Sequence, residues 1–125
     1  MGDISVIVEG VESEEAKAAL YSTVHGAGRV MSRTQAAGKR RWTKRNGQRV
    51  LEQVKPGAVS REMMMEWLKR EGVELRGAGT DESPHVYRRL PEVLKHHEGT
   101  LRILHTLKPM GVIMAGEDVT DPYKD

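Results

Sequence analysis

His25 is followed by Gly26, Ala27, Gly28 and Arg29, and this five-residue run carries the clearest chemistry in the chain. Small residues let backbone approach a ligand closely, so the N–H groups of Gly26, Ala27 and Gly28 can surround an oxyanion. An imidazole beside such an anion cradle stands ready for in-line attack at phosphorus. A helix opening near Arg29 would add its positive end to that site. A lone histidine in a glycine-rich loop also serves as a surface residue or a metal ligand, and the run by itself leaves those readings open.

The other chemistry-bearing residues read more plainly. His96, His97 and Glu98 are clustered but lack the His-Glu-x-x-His spacing that puts two imidazoles on one helical face. His105 lies among Leu101, Leu104 and Leu107 and reads as a packed core histidine, while His85 follows Pro84 in a turn and reads as exposed. Met63, Met64 and Met65 at a helix start read as adaptable packing. Cysteine is absent, which removes a disulfide framework, a thiol nucleophile and a cysteine-type zinc site.

The chain has 125 residues, of which 38% are apolar and 30% charged, with two Trp, three Tyr and no Phe. This is one small domain or a piece of a larger one, with little material for a core. No run of about 18 apolar residues offers a membrane span, and no basic segment followed by an apolar run marks a leader, so the expectation is a soluble, cytoplasmic protein. The net charge of +2 conceals an uneven distribution. No acidic residue lies between Glu15 and Glu52, whereas nine bases do: Lys17, Arg29, Arg33, Lys39, Arg40, Arg41, Lys44, Arg45 and Arg49. The remainder holds 11 bases against 18 acids. Such a block suggests a phosphate-rich partner, with a solvated helix face as the plain alternative.

The elements that must position His25 can be read in order. Residues 3–9 form a β-branched strand ending at Gly10, and Ser13 caps a short helix running to about Tyr21. After the His25 loop, residues 30–45 read as a second helix, Asn46-Gly47 as a turn, and 50–54 as a short strand or helical turn. Ser60 caps a helix ended by Gly72, and 73–75 form a short strand. Pro91 opens a helix whose face is lined by Leu101, Leu104 and Leu107, before a last strand over 110–115 and a loop-like acidic tail over 116–125. The fold class is α/β in composition, a mixed α+β arrangement with many turns.

The run His-Gly-Ala-Gly-Arg-Val-Met-Ser-Arg-Thr-Gln-Ala, residues 25–36, resembles the signature of the RtcB family of GTP-dependent tRNA-splicing RNA ligases. Residues 1–10 resemble the strand that precedes that signature, residues 81–87 (Asp-Glu-Ser-Pro-His-Val-Tyr) a later segment of the family, and Leu107-Lys108-Pro109 leading into Val112-Ile113 its final strand. The resemblance covers nearly the whole chain. It implies that His25 attacks the α-phosphorus of GTP to form a covalent histidine–GMP, which passes GMP to an RNA 3′-phosphate before a 5′-hydroxyl seals the strand. It further implies that Gly26, Ala27 and Gly28 cradle the phosphate, that Ser5 touches the nucleotide with Met1 at the pocket edge, and that Tyr87 stacks on guanine. Arg29 and Arg33 would meet nucleotide or RNA phosphates, or else pair on the helix surface.

Two departures accompany the resemblance. The family reads guanine with a lysine near its C-terminus, whereas here 113–116 is Ile-Met-Ala-Gly and no lysine follows until Lys124. The family's manganese ligands, an Asp, a Cys and several His, lie mostly upstream of the nucleophile. The whole of residues 1–125 therefore reads as the C-terminal part of an RtcB-like ligase domain, without the metal-binding N-terminal part and with negligible ligase activity alone. The expected partners are RNA, as tRNA halves or broken ends, and the missing N-terminal part. The alternatives are a non-catalytic nucleotide- or RNA-binding module and a subunit completed by a second polypeptide.

Overall fold

In the computed structural model residues 1–116 are described; the acidic tail and Lys124 lie outside them. The elements run in the order β1 (Ser5–Gly10), α1 (Glu14–Ala18), α2 (Arg33–Ala37), β2 (Gly38–Arg45), β3 (Gln48–Pro56), α3 (Arg61–Glu71), β4 (Glu74–Arg76), α4 (Leu90–Leu94), β5 (Leu101–Leu107) and β6 (Gly111–Ile113). Short 3₁₀ turns at Thr80–Glu82 and Pro84–Val86 join β4 to α4. The strands form three two-stranded sheets: β1 with β5 and β2 with β3 antiparallel, β4 with β6 parallel. The fold is mixed α+β.

Local capping follows the sequence closely. The Ser13 hydroxyl accepts from Ala16 N–H at 3.0 Å and starts α1, and Ser60 does the same for Met63 at 3.2 Å to start α3. Gly72 ends α3 in the left-handed region, φ 69°, where a side chain would be strained. Helix α3 turns Met64 and Leu68 fully inward, and Met63 and Met65 outward. With Val73 these two form one small core, joined by Met1, Trp67, Leu75 and Val112. A second core holds Ala36, Val59 and Val86 with Met31 and Tyr87 against it.

Two sequence expectations are overturned. Residues 30–45 form no continuous helix: α2 stops after five residues at Gly38, φ 82°, and the chain continues as β2. Asn46 and Gly47 carry φ of 50° and 78°, the paired positive values of a type I′ turn, and close β2 onto β3. Hairpin pairing thus overrides the weak helix preference of Lys and Arg. Helix α2 consequently starts beyond Arg29 and is too short to offer the anion site a positive end.

Residues 101–107, expected as a helix face, are strand β5 paired with β1. The register passes from Ile7↔His105 to Val8↔Ile103, so Leu104 is the extra residue of a β-bulge. The bulge breaks strict alternation and leaves leucines three apart, which imitates helical spacing. Leu104, His105 and Leu107 are exposed, so His105 is not a core histidine. No helix among the described residues is long and apolar enough to cross a membrane.

Candidate nucleotide site

The His25 loop connects α1 to α2 and is tied down at its far end. Arg29 makes an isolated antiparallel bridge with Tyr87. Arg88 N–H donates to the Gly28 carbonyl at 2.9 Å, and Val30 N–H to the Val86 carbonyl at 2.8 Å. Gly28 sits at φ 80°, and a Cβ there would lie 3.3 Å from an Arg88 guanidinium nitrogen. A small residue with left-handed freedom is what this close approach to the 84–88 segment requires.

A charged network fixes the same junction. Arg29 donates from Nε to the Met31 carbonyl at 3.1 Å, from Nη1 to the Tyr87 hydroxyl at 2.9 Å and from Nη2 to the Asp81 carbonyl at 2.6 Å. Its Nη1 lies 3.7 Å from a Glu82 carboxylate oxygen, and its guanidinium covers the Tyr87 ring at 5.0 Å. Arg33 pairs with the Asp81 carboxylate at 3.2 Å and with Glu82. The Tyr87 hydroxyl donates to Glu82. Asp81 is buried, and a buried carboxylate persists only where charge and hydrogen bonds compensate it. Of the two readings for Arg29 and Arg33, pairing within the chain accounts for both guanidiniums as they stand.

Against this frame lies a cavity of about 330 Å³, at the lower end of the range for small-molecule sites. Met1, Ser5, His25, Gly26, Ala27 and Tyr87 all line it. Six of the seven expected nucleotide-site residues therefore converge from three separate parts of the chain. Gly28 lies just outside the lining, where it secures the loop. His25 is exposed, with its ring facing no fixed partner in the bonds described. Val6, Val8, Leu90, Leu94 and Leu101 supply an apolar floor.

Two contributors were not legible as site residues. Arg88 lines the cavity beside the loop, with Nη1 3.5 Å from the Arg29 carbonyl. Asp3 also lines it and accepts from Ile4 N–H at 2.8 Å, Leu90 N–H at 3.2 Å and Arg89 at 3.1 Å, which docks the start of α4 onto the start of β1. Arg89 in turn lies over Trp67 at 4.3 Å, and a second arginine, Arg70, lies 4.6 Å from the same ring. The signal for Asp3 was a lone acid at the mouth of an apolar strand; its partners, 86 and 87 residues away, gave none. His85 is half-buried rather than exposed, bonded to the Ser83 hydroxyl at 2.9 Å and packed edge-on to Trp67. Among the described residues no three His, Cys, Asp or Glu converge to hold a metal ion.

The arrangement brings a histidine, a glycine-rich loop and a tyrosine to one cavity. The family model of the tRNA-splicing ligase RtcB matches residues 1–115, and the chain belongs to the RtcB family. It is 32% identical over 115 residues to the RNA-splicing ligases RtcB of Mycobacterium bovis and Mycobacterium tuberculosis, a match covering 90% of this chain. The matched part spans 22% of the length of those relatives.

Proposed function

We propose that this chain carries the guanylylation loop of an RNA ligase that joins RNA 3′-phosphate, or 2′,3′-cyclic phosphate, and 5′-hydroxyl ends, as in tRNA splicing or RNA repair. One observation carries the reading: His25, Gly26 and Ala27 share a single cavity with Ser5 and Tyr87. A neutral imidazole nitrogen of His25 attacks the α-phosphorus of GTP, a phosphorus–nitrogen bond forms and pyrophosphate leaves. The RNA 3′-phosphate, which a 2′,3′-cyclic end becomes when water adds at phosphorus and the 2′ oxygen leaves, then attacks the same phosphorus, taking GMP and freeing His25. The 5′-hydroxyl of the second strand attacks the activated RNA phosphate, loses its proton and expels GMP.

The residues present fit the nucleotide. Backbone N–H groups of Gly26 and Ala27, which line the cavity, would donate to the phosphate oxygens on which charge develops. The Tyr87 ring offers guanine a stacking face, a contact of about 1–3 kcal/mol per base. Arg29 and Arg33 act through the frame, because contact with an RNA phosphate would draw them from Asp81 and Glu82. The described residues do not fit manganese, so no step is routed through a metal here. We assign its ligands to an upstream part of the ligase, and the chain alone to negligible ligase activity.

The test is transfer of label from α-labelled GTP to the chain in manganese buffer, with and without a separately produced upstream part of an RtcB ligase. Label is expected on His25 only in the completed protein, and His25→Ala should abolish it while leaving RNA affinity within about twofold. Label on the isolated chain would overturn the assignment of inactivity. RNA binding with no label even after completion would leave the non-catalytic nucleotide- or RNA-binding module.

A further inference from the structure

Six of the nine bases in the basic block, Lys39 to Arg49, lie apart from the Arg29 and Arg33 frame beside the cavity. They belong to the β2–β3 hairpin, whose 19 residues, 38–56, carry seven bases against Glu52 alone, while the rest of the chain holds 13 bases and 17 acids. Neither strand pairs with a third among the described residues. At about 3.3 Å per residue the eight-residue β2 makes an arm roughly 25 Å long. Its neck is tight: Ala58 and Val59 N–H donate to the Gln35 and Ala36 carbonyls at 2.9 and 3.1 Å. A Cβ on Gly38 or Gly57 would run into backbone across that neck.

The two faces of the arm differ. One is internally compensated, with Arg45 paired to Glu52 at 2.8 Å. On the other, register puts Trp42 opposite Leu51 and Lys44 opposite Arg49. Trp42 is 51% exposed, although most tryptophans are substantially buried, and the Arg49 guanidinium lies 5.2 Å over its ring. An exposed indole flanked by cations on an uncovered ribbon is the combination that binds single-stranded nucleic acid: the ring stacks on a base, and the cations follow the backbone. No carboxylate shares this face, because the only acid of the hairpin is on the other one.

We infer that the β2–β3 hairpin is a single-stranded RNA-binding arm, with Trp42 as its stacking platform and Lys44 and Arg49 as its phosphate contacts. RNA as the strand held rests on the ligase reading; the arm would present a strand end to the His25 cavity without taking part in guanylylation.

The test is fluorescence anisotropy of a short fluorescein-labelled oligouridylate with the intact chain. Trp42→Ala should weaken binding roughly 5- to 150-fold, the equivalent of one lost base stack, and Trp42→Phe should restore most of it. Lys44→Gln with Arg49→Gln should lower the slope of log affinity against log salt by about 1.4, near 0.7 for each single-strand contact removed. Joining Gly38 directly to Gly57 should abolish RNA binding and leave GMP binding in the cavity unchanged. The arm assignment is overturned if these variants bind RNA as the parent does. It is equally overturned if heparin binds as tightly and loses nothing with Trp42→Ala, which would make the hairpin a nonspecific polyanion surface. Because GMP binding and RNA binding are read separately, loss of the ligase reading and loss of the arm assignment give different results.

Discussion

Replacing Arg29 with alanine isolates what the charged frame contributes. The side chain is 24% exposed, and its guanidinium donates to the Met31 carbonyl, the Tyr87 hydroxyl and the Asp81 carbonyl at 2.6–3.1 Å. Hydrogen bonds from a charged donor contribute about 1.5 kcal/mol each at the low end, offset by about 2 kcal/mol of rotamer freedom that an arginine gives up. The remainder is about 2.5 kcal/mol. Asp81 and Glu82 would then keep Arg33 as their chief counter-charge, which brings the expected loss to about 3 kcal/mol. Urea unfolding should register this as a midpoint lowered by ~1.5 M, for a slope near 2 kcal/mol/M. Arg29→Lys should recover less than half, since one ammonium cannot span three acceptors set in a fork. A double-mutant cycle with Glu82→Ala should give a coupling above about 0.5 kcal/mol. A loss under 1 kcal/mol, with undiminished protection of the 84–88 amides, would refute the view that this network holds the His25 loop.

Leu68 is fully buried between the Gly2 turn and Met64, and Leu68→Ala should cost about 2–5 kcal/mol by denaturation, with the start of β1 losing hydrogen-exchange protection first. The Glu62 carboxyl is held below its ordinary value by its own backbone N–H and then by the Ser60 hydroxyl at the start of α3. A depressed folded-state pKa adds stability above the unfolded value of 4.5 and gives it up as pH falls through the folded value. Glu62→Gln should therefore lower the unfolding midpoint slightly at pH 7, with a deficit that shrinks as pH falls below 4.5.

The sequence alone determined what is written in nearest neighbours. Ser13, Ser60 and Gly72 announced helix ends because capping bonds span three or four residues. The His25 loop and the strand before it were legible because small residues and β-branched runs act on backbone directly. Asn46-Gly47 also carried a strong hairpin signal, which the helix-forming lysines and arginines before it obscured.

Only the tertiary structure decided where charges go and which period a strand obeys. Leucines at 101, 104 and 107 fit a helix until β1 offered partners, and a bulge at Leu104 absorbed the misfit. For Arg29 and Arg33 the sequence offered phosphates or surface pairing, and it could not name Asp81 and Glu82, some 50 residues later, as the groups that lie beside them. Asp3 reached Leu90, at the start of α4, across 87 residues of chain. Pairing of this kind depends on distance in space, with an energy that vanishes in the extended chain, so no local pattern could contain it.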